Sequence, residues 1–174
     1  MRRLRAALAV VLALVAGPVA AQDPSFRLLD QDRLFAQSQF GQRVLAELRQ
    51  LSAELTDENQ SITSALMAEE LALTEARATL SPEEFRARAD DFDARVEAIR
   101  AEQEDKSREL QRRNEAEQLL FFETALPVLL AMMQDLGIEA ILDARAVILG
   151  NDALDVTDLA IERLDAVLGA GPGQ

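Results

Sequence analysis

From Val44 onward the apolar residues advance in steps of four and three for most of the next seventy residues. The first run reads Val44, Leu48, Leu51, Leu55, Ile62, Leu66, Leu73 and Leu80. Asn59, Glu69 and Ala76 fill its gaps, with one extra-residue stutter around Leu55 to Asn59. The second run reads Phe85, Ala89, Phe92, Val96, Ile99, Gln103, Lys106 and Leu110 without interruption. Steps that alternate between four and three keep one stripe of a helix facing a neighbouring helix. A strand would alternate every second residue.

Between the two runs lies LSPEEF, residues 80 to 85. Ser81 is a good N-cap, Pro82 suits the first helical position, and Glu84 completes a capping box. Leu80 and Phe85 occupy the two positions of a hydrophobic staple. One helix therefore ends near Leu80 and another starts at Pro82, which predicts an antiparallel hairpin with its tip at Ser81. Folding there pairs Leu80 with Phe85, Leu73 with Phe92, Leu66 with Ile99 and Leu55 with Leu110. Each arm of roughly 37 residues reaches about 55 Å. The competing structure is a compact bundle in which the hairpin folds back on itself. The same pairing sets Ile62 against Gln103 and Asn59 against Lys106, so a flexible joint is expected at mid-arm.

The ends read differently. Phe26 to Asp30 reads as a short strand. Residues 118–133 (QLLFFETALPVLLAMM) are apolar nearly all round, as in helices buried in an assembly. Pro127 is expected to kink that helix and Gly137 to stop it. Ile138–Leu142 and Ala146–Leu149 read as two strands joined at Asp143-Ala144-Arg145. Asp155-Val156-Thr157-Asp158 is expected to cap a last helix. The fold class is mainly α with a small β body (α+β). Residues 22–43 and 121–168 form a discontinuous body, 44–120 the inserted hairpin arm, and 169–174 a disordered tail. Such a body buries too little surface alone. Phe26, Leu28, Phe121, Phe122, Ile141, Val147 and Leu149 are its expected oligomerisation residues.

Residues 1–21 carry Arg2, Arg3 and Arg5, an apolar core over 6–16 and small residues at Val19-Ala20-Ala21, the pattern of a cleaved signal peptide. Its removal takes away three arginines and no acids, moving the formal charge from −13 to −16. So acidic a surface repels nucleic acid and anionic headgroups. The chain has no Cys, His, Trp or Tyr. Disulfides, thiol nucleophiles, histidine bases and ordinary zinc sites are thereby excluded. Acidic clusters such as Asp90-Asp91-Asp93, Glu102-Glu104-Asp105 and Asp152-Asp155-Asp158 read as solvated faces, turns and caps. No enzymatic activity, metal or cofactor is expected.

FRLLDQDRLFAQSQFGQRVL at the front and IEAILDARAVILGNDALDVTDLAIERL at the back, with a charged hairpin between, resemble the Skp/OmpH family of periplasmic chaperones. The likeness spans about residues 26–168; within the hairpin it is one of pattern only. It implies a jellyfish-like trimer, a β-stranded body carrying three helical arms around a cavity. It also implies an ATP-independent holdase that keeps unfolded outer-membrane β-barrel proteins soluble in the periplasm. The best-known members have cationic arms, whereas residues 44–120 here hold nineteen acids and ten bases. No lipopolysaccharide-binding residue is therefore carried over. Candidate client contacts are Met67 and Leu71, four apart on one face beside the seam, and Ala87, Ala94, Ala98 and Ala101 on the second helix. The alternative function is a non-enzymatic coiled-coil spacer or adaptor of the cell envelope.

Overall fold

The structure is a computed structural model that describes residues 25–172; the expected signal peptide lies outside them. Strand β1 (Phe26–Leu29) leads into helix α1 (Gln31–Gln37), which Asp30 caps by accepting the Arg33 N–H at 3.0 Å. Ser38 ends α1 and starts α2 (Gln39–Ala76). Its hydroxyl oxygen accepts from Gly41 N at 3.2 Å and its proton goes to the Phe35 carbonyl at 3.2 Å. The corner is so tight that a Cβ at Gly41 would stand 1.6 Å from the Phe35 carbonyl oxygen.

Helix α2 stops at Ala76, four residues before the expected Leu80, because the amides of Arg77, Ala78 and Thr79 bond to the carbonyls three residues back, of Thr74, Glu75 and Ala76, which tightens the last turn out of α geometry. Helix α3 (Pro82–Leu136) then opens with the capping box complete on both sides at Ser81 and Glu84. The expected separate helix around 118–133 is the far end of this same 55-residue helix, which continues through Pro127. Proline withholds one amide, but the Glu123 carbonyl left without it sits on an exposed residue. Gly137, at φ 63°, ends the helix in the left-handed conformation.

Strand β2 (Ala140–Asp143) pairs in parallel with β1, Phe26 opposite Ala140 and Leu29 opposite Asp143. The whole arm is thus the crossover between two paired strands. The expected strand over Ala146–Leu149 is not formed. Asp143 accepts the Arg145 amide at 2.9 Å, turning the chain into a 3-10 turn over Ala144–Ala146. Instead, the Val156 amide reaches the Leu28 carbonyl at 3.0 Å beside β1. Helix α4 (Thr157–Leu168) follows; the Asp155 carboxylate accepts its first amide, that of Thr157, at 2.8 Å.

The core surrounds Phe121, whose ring meets Phe35, Phe40 and Phe122 edge-on at 5.1, 5.5 and 5.1 Å. By length and composition the apolar end of α3 could cross a bilayer. Its inner residues Phe121, Ala125 and Met132 are nevertheless fully buried in the body. Among the described residues every buried apolar side chain falls within 28–44 or 121–164. The tail expected to be disordered rests on this body as far as Gly171. Arg43 Nε donates to the Ala170 carbonyl at 2.7 Å, and Gly171 lies so close to Phe40 that a Cβ would approach its ring to 2.5 Å.

Candidate functional site: the arm and the uncovered body surface

The seam residues of both helices are half-buried while their neighbours are exposed, as packing of two helices along one line requires. Leu73 and Phe92 line one groove, Ile62, Leu66, Val96 and Ile99 the next, and Leu51, Leu55 and Leu110 the one nearest the body. Leu80 and Phe85 share the groove at the tip, where the Arg77 guanidinium lies 5.4 Å from the Phe85 ring centre. Ion pairs also cross between the helices, one of them from the seam position Glu69. Arg95 Nη1 donates to Glu69 at 2.9 Å, and Arg113 reaches Glu47 at 3.3 Å.

At mid-arm the residue meeting Lys106 is Glu58; Asn59, expected there, borders the next groove with Ile62 and Gln103. Either residue continues the four-three steps from Leu55, so spacing alone does not choose between them. The cation at Lys106 decides. Gln103 also donates to Glu58, at 3.2 Å, and its own buried carbonyl oxygen has no partner. Hydrogen bonds from Lys106 and then Gln103 hold the Glu58 carboxyl below its ordinary range. Those to Glu58 and then Glu102 raise the Lys106 ammonium. The seam is therefore polar here, between the apolar pairs of Leu55 with Leu110 and Leu66 with Ile99.

Met67 and Leu71 do not border the seam. At about 100° per residue they lie on the far side of α2, 66% and 61% exposed. Ala94, Ala98 and Ala101 occupy the far side of α3, while Ala87 edges the groove of Leu73 and Phe92. The candidate contacts thus fall on opposite sides of the arm and form no single surface.

In the body, Leu28 and Phe121 are consumed by the protomer's own core, and Phe122 and Ile141 pack against it. Leu28 and Phe121 are therefore not free to anchor a partner as expected, whereas Phe122 and Ile141 keep part of their surface open. Val147 is half-buried. Phe26 and Leu149 are exposed, joined by Ile148 and by Leu119, Leu126 and Leu130 on α3. Ile148 and Leu149 are 95% and 91% exposed. Adjacent apolar side chains so open are unusual for a monomer.

Residues not singled out from the sequence hold these parts together. Arg43 stacks over Phe40 and bonds to Glu47 at 2.8 Å, and its other nitrogen lies 3.6 Å from Glu117 of α3. Arg145 links the end of β2 to Asp32 of α1 at 2.7 Å. Thr157, fully buried, accepts the Asp30 amide at 2.9 Å. The D-A-R and D-V-T motifs are thus stitches between the two ends of the chain, a role that becomes visible only when both ends are in place.

A small α+β body with uncovered apolar surface, carrying one long two-helix arm inserted between paired strands, defines an arm-bearing protein. The chain matches the family described as Outer membrane protein (OmpH-like) over residues 26–164. It belongs to that family. Its fold is similar to the crystal structure of a "putative outer membrane chaperone (OmpH-like)" from Caulobacter crescentus CB15, with a TM-score of 0.80 at 21% identity, covering 91% of this chain and 94% of that one. None of the curated proteins matches it.

Proposed function

We propose that the protein is an ATP-independent holdase chaperone of the periplasm. It assembles as a homotrimer through its body and holds unfolded outer-membrane β-barrel proteins between its arms. The observation carrying this reading is an arm of about 55 Å whose outward side chains include the exposed Met67 and Leu71. A holdase that releases clients without fuel needs many weak contacts, and scattered flexible apolar side chains supply them. The open Ile148-Leu149 pair, the exposed apolar side of α3 and the outer edge of β2 support assembly through the body.

The test is light scattering from a urea-unfolded outer-membrane barrel diluted with and without the protein, at low and high salt. Suppression that survives high salt is expected, because screening leaves apolar contacts in place. Equal aggregation in all four conditions overturns the holdase reading and favours an envelope spacer, which would protect no unrelated barrel.

A further inference from the structure

A second stripe with the spacing of the seam runs along α2 on the side turned away from α3. Thr56, Gln60, Thr63, Met67, Leu71 and Thr74 follow one another at four or three residues, all exposed and all uncharged. Thr63, at its edge, also borders the groove shared with Ile99 of α3, while Met67 and Leu71 stand open, 66% and 61% exposed. Its hydroxyls are partly spent inside the helix: Thr56 donates to the Ser52 carbonyl and Thr63 to the Asn59 carbonyl, each at 2.8 Å. That leaves the threonine methyls, with Met67 and Leu71, as the surface a partner would meet.

The borders of the stripe have one sign. Residues 50–76 contain six acids and neither lysine nor arginine. Glu58 and Glu69 are engaged across the arm by Lys106 and Arg95. Helical geometry places Asp57 and Glu75 along one border and Glu70 along the other. These three are exposed and make no ion pair among the described residues. Of the arm's ten cations, all but Arg49 and Arg77 belong to α3.

We propose that this face of α2 docks unfolded polypeptide segments in which apolar residues are interspersed with lysine or arginine. The inference rests on the holdase reading and names its client class. A basic segment can desolvate Met67 and Leu71 while its cations meet Asp57, Glu70 and Glu75. An acidic segment of the same hydrophobicity sets like charge against like.

Fluorescence anisotropy with three labelled, unstructured peptides tests it. They share their apolar residues and differ only in carrying lysine, glutamate or glutamine between them. At low salt the lysine peptide is expected to bind about tenfold tighter than the glutamate peptide, the combined effect of three exposed ion pairs of ordinary size. High salt closes that gap and leaves the glutamine peptide bound. The combined substitution Asp57→Lys, Glu70→Lys and Glu75→Lys reverses the order, while Met67→Asp with Leu71→Asp weakens all three peptides. Circular dichroism and scattering mass stay unchanged, since all five side chains are exposed. Equal binding of the lysine and glutamate peptides overturns the proposal, as does a preference that survives the charge reversal. A change in assembly mass on charge reversal also overturns it, because a second copy of the chain would then cover this face. Failure of all three peptides to bind removes this inference and the holdase reading together. Binding of the lysine peptide without suppression of barrel aggregation removes the holdase reading alone.

Discussion

Phe121→Ala tests whether the fold is held by the body. The Phe121 side chain is fully buried and its ring is the hub of three edge-on contacts at 5.1 to 5.5 Å. Truncating a core phenylalanine costs about 3–5 kcal/mol. Edge-on aromatic pairs place this site towards the top of that range. Against a total stability of about 5–15 kcal/mol, and a body too small to stand high within it, the loss is half or more. With a urea slope of about 2 kcal/mol/M the unfolding midpoint is expected to fall by roughly 2 M. The chain has no Trp or Tyr, so far-UV circular dichroism follows unfolding. Protomer concentration must be held fixed because association is linked to folding. Phe92→Ala, at a half-buried arm position, is the control and is expected to shift the midpoint by less than half as much. A shift below about 0.5 M for Phe121→Ala, or an equal shift for Phe92→Ala, would refute the reasoning.

Gly41→Ala forces a methyl group to within 1.6 Å of a backbone oxygen that cannot rotate away. The corner between α1 and α2 must open and the Ser38 bonds must go, a loss of about 3 kcal/mol; calorimetry is expected to show a melting temperature lower by about 10 °C. At mid-arm, the stabilisation from Glu58 is present above the ordinary glutamate value of 4.5 and is lost as pH falls through its lowered folded value. That from Lys106 is present below 10.5 and is lost as pH rises through its raised value. Carboxyl-carbon NMR is expected to find the Glu58 midpoint below 4.5, returning towards it in Lys106→Met; an unmoved midpoint would contradict the pairing.

The hairpin was legible because two regular rows of apolar residues and a capping box are local signals that no tertiary contact has to complete. The tip and the pairing of the apolar rows follow from them, whereas the mid-arm partner of Lys106, Glu58 rather than Asn59, does not. The body was less legible, for a physical reason. A strand reading for Ala146–Leu149 rests on β-branched and apolar residues, but strand formation depends on a partner. In the lone protomer Asp143 diverts the chain before one is met. The placement of Met67 and Leu71 beside the seam failed differently: a spacing of four puts two residues on one face without saying which face. Only the half-buried row of Leu66 and Leu73 shows that the pair lies behind it.

The residues that specify this fold and those that meet solvent along the arm are largely separate. Phe121, Ser38 and Gly41, Arg145 and Thr157 each make contacts that one alternative side chain would break. Two of them also join segments more than a hundred residues apart, Arg145 with Asp32 and Thr157 with Asp30. The arm asks only that apolar side chains recur every four and three residues and that the tip be capped. Its remaining positions are exposed, where a change of charge costs little stability. An arm built this way can turn from basic to acidic without altering the fold. The fold therefore leaves the arm's surface charge free, and the stripe proposed on α2 is where a difference in that charge would be felt.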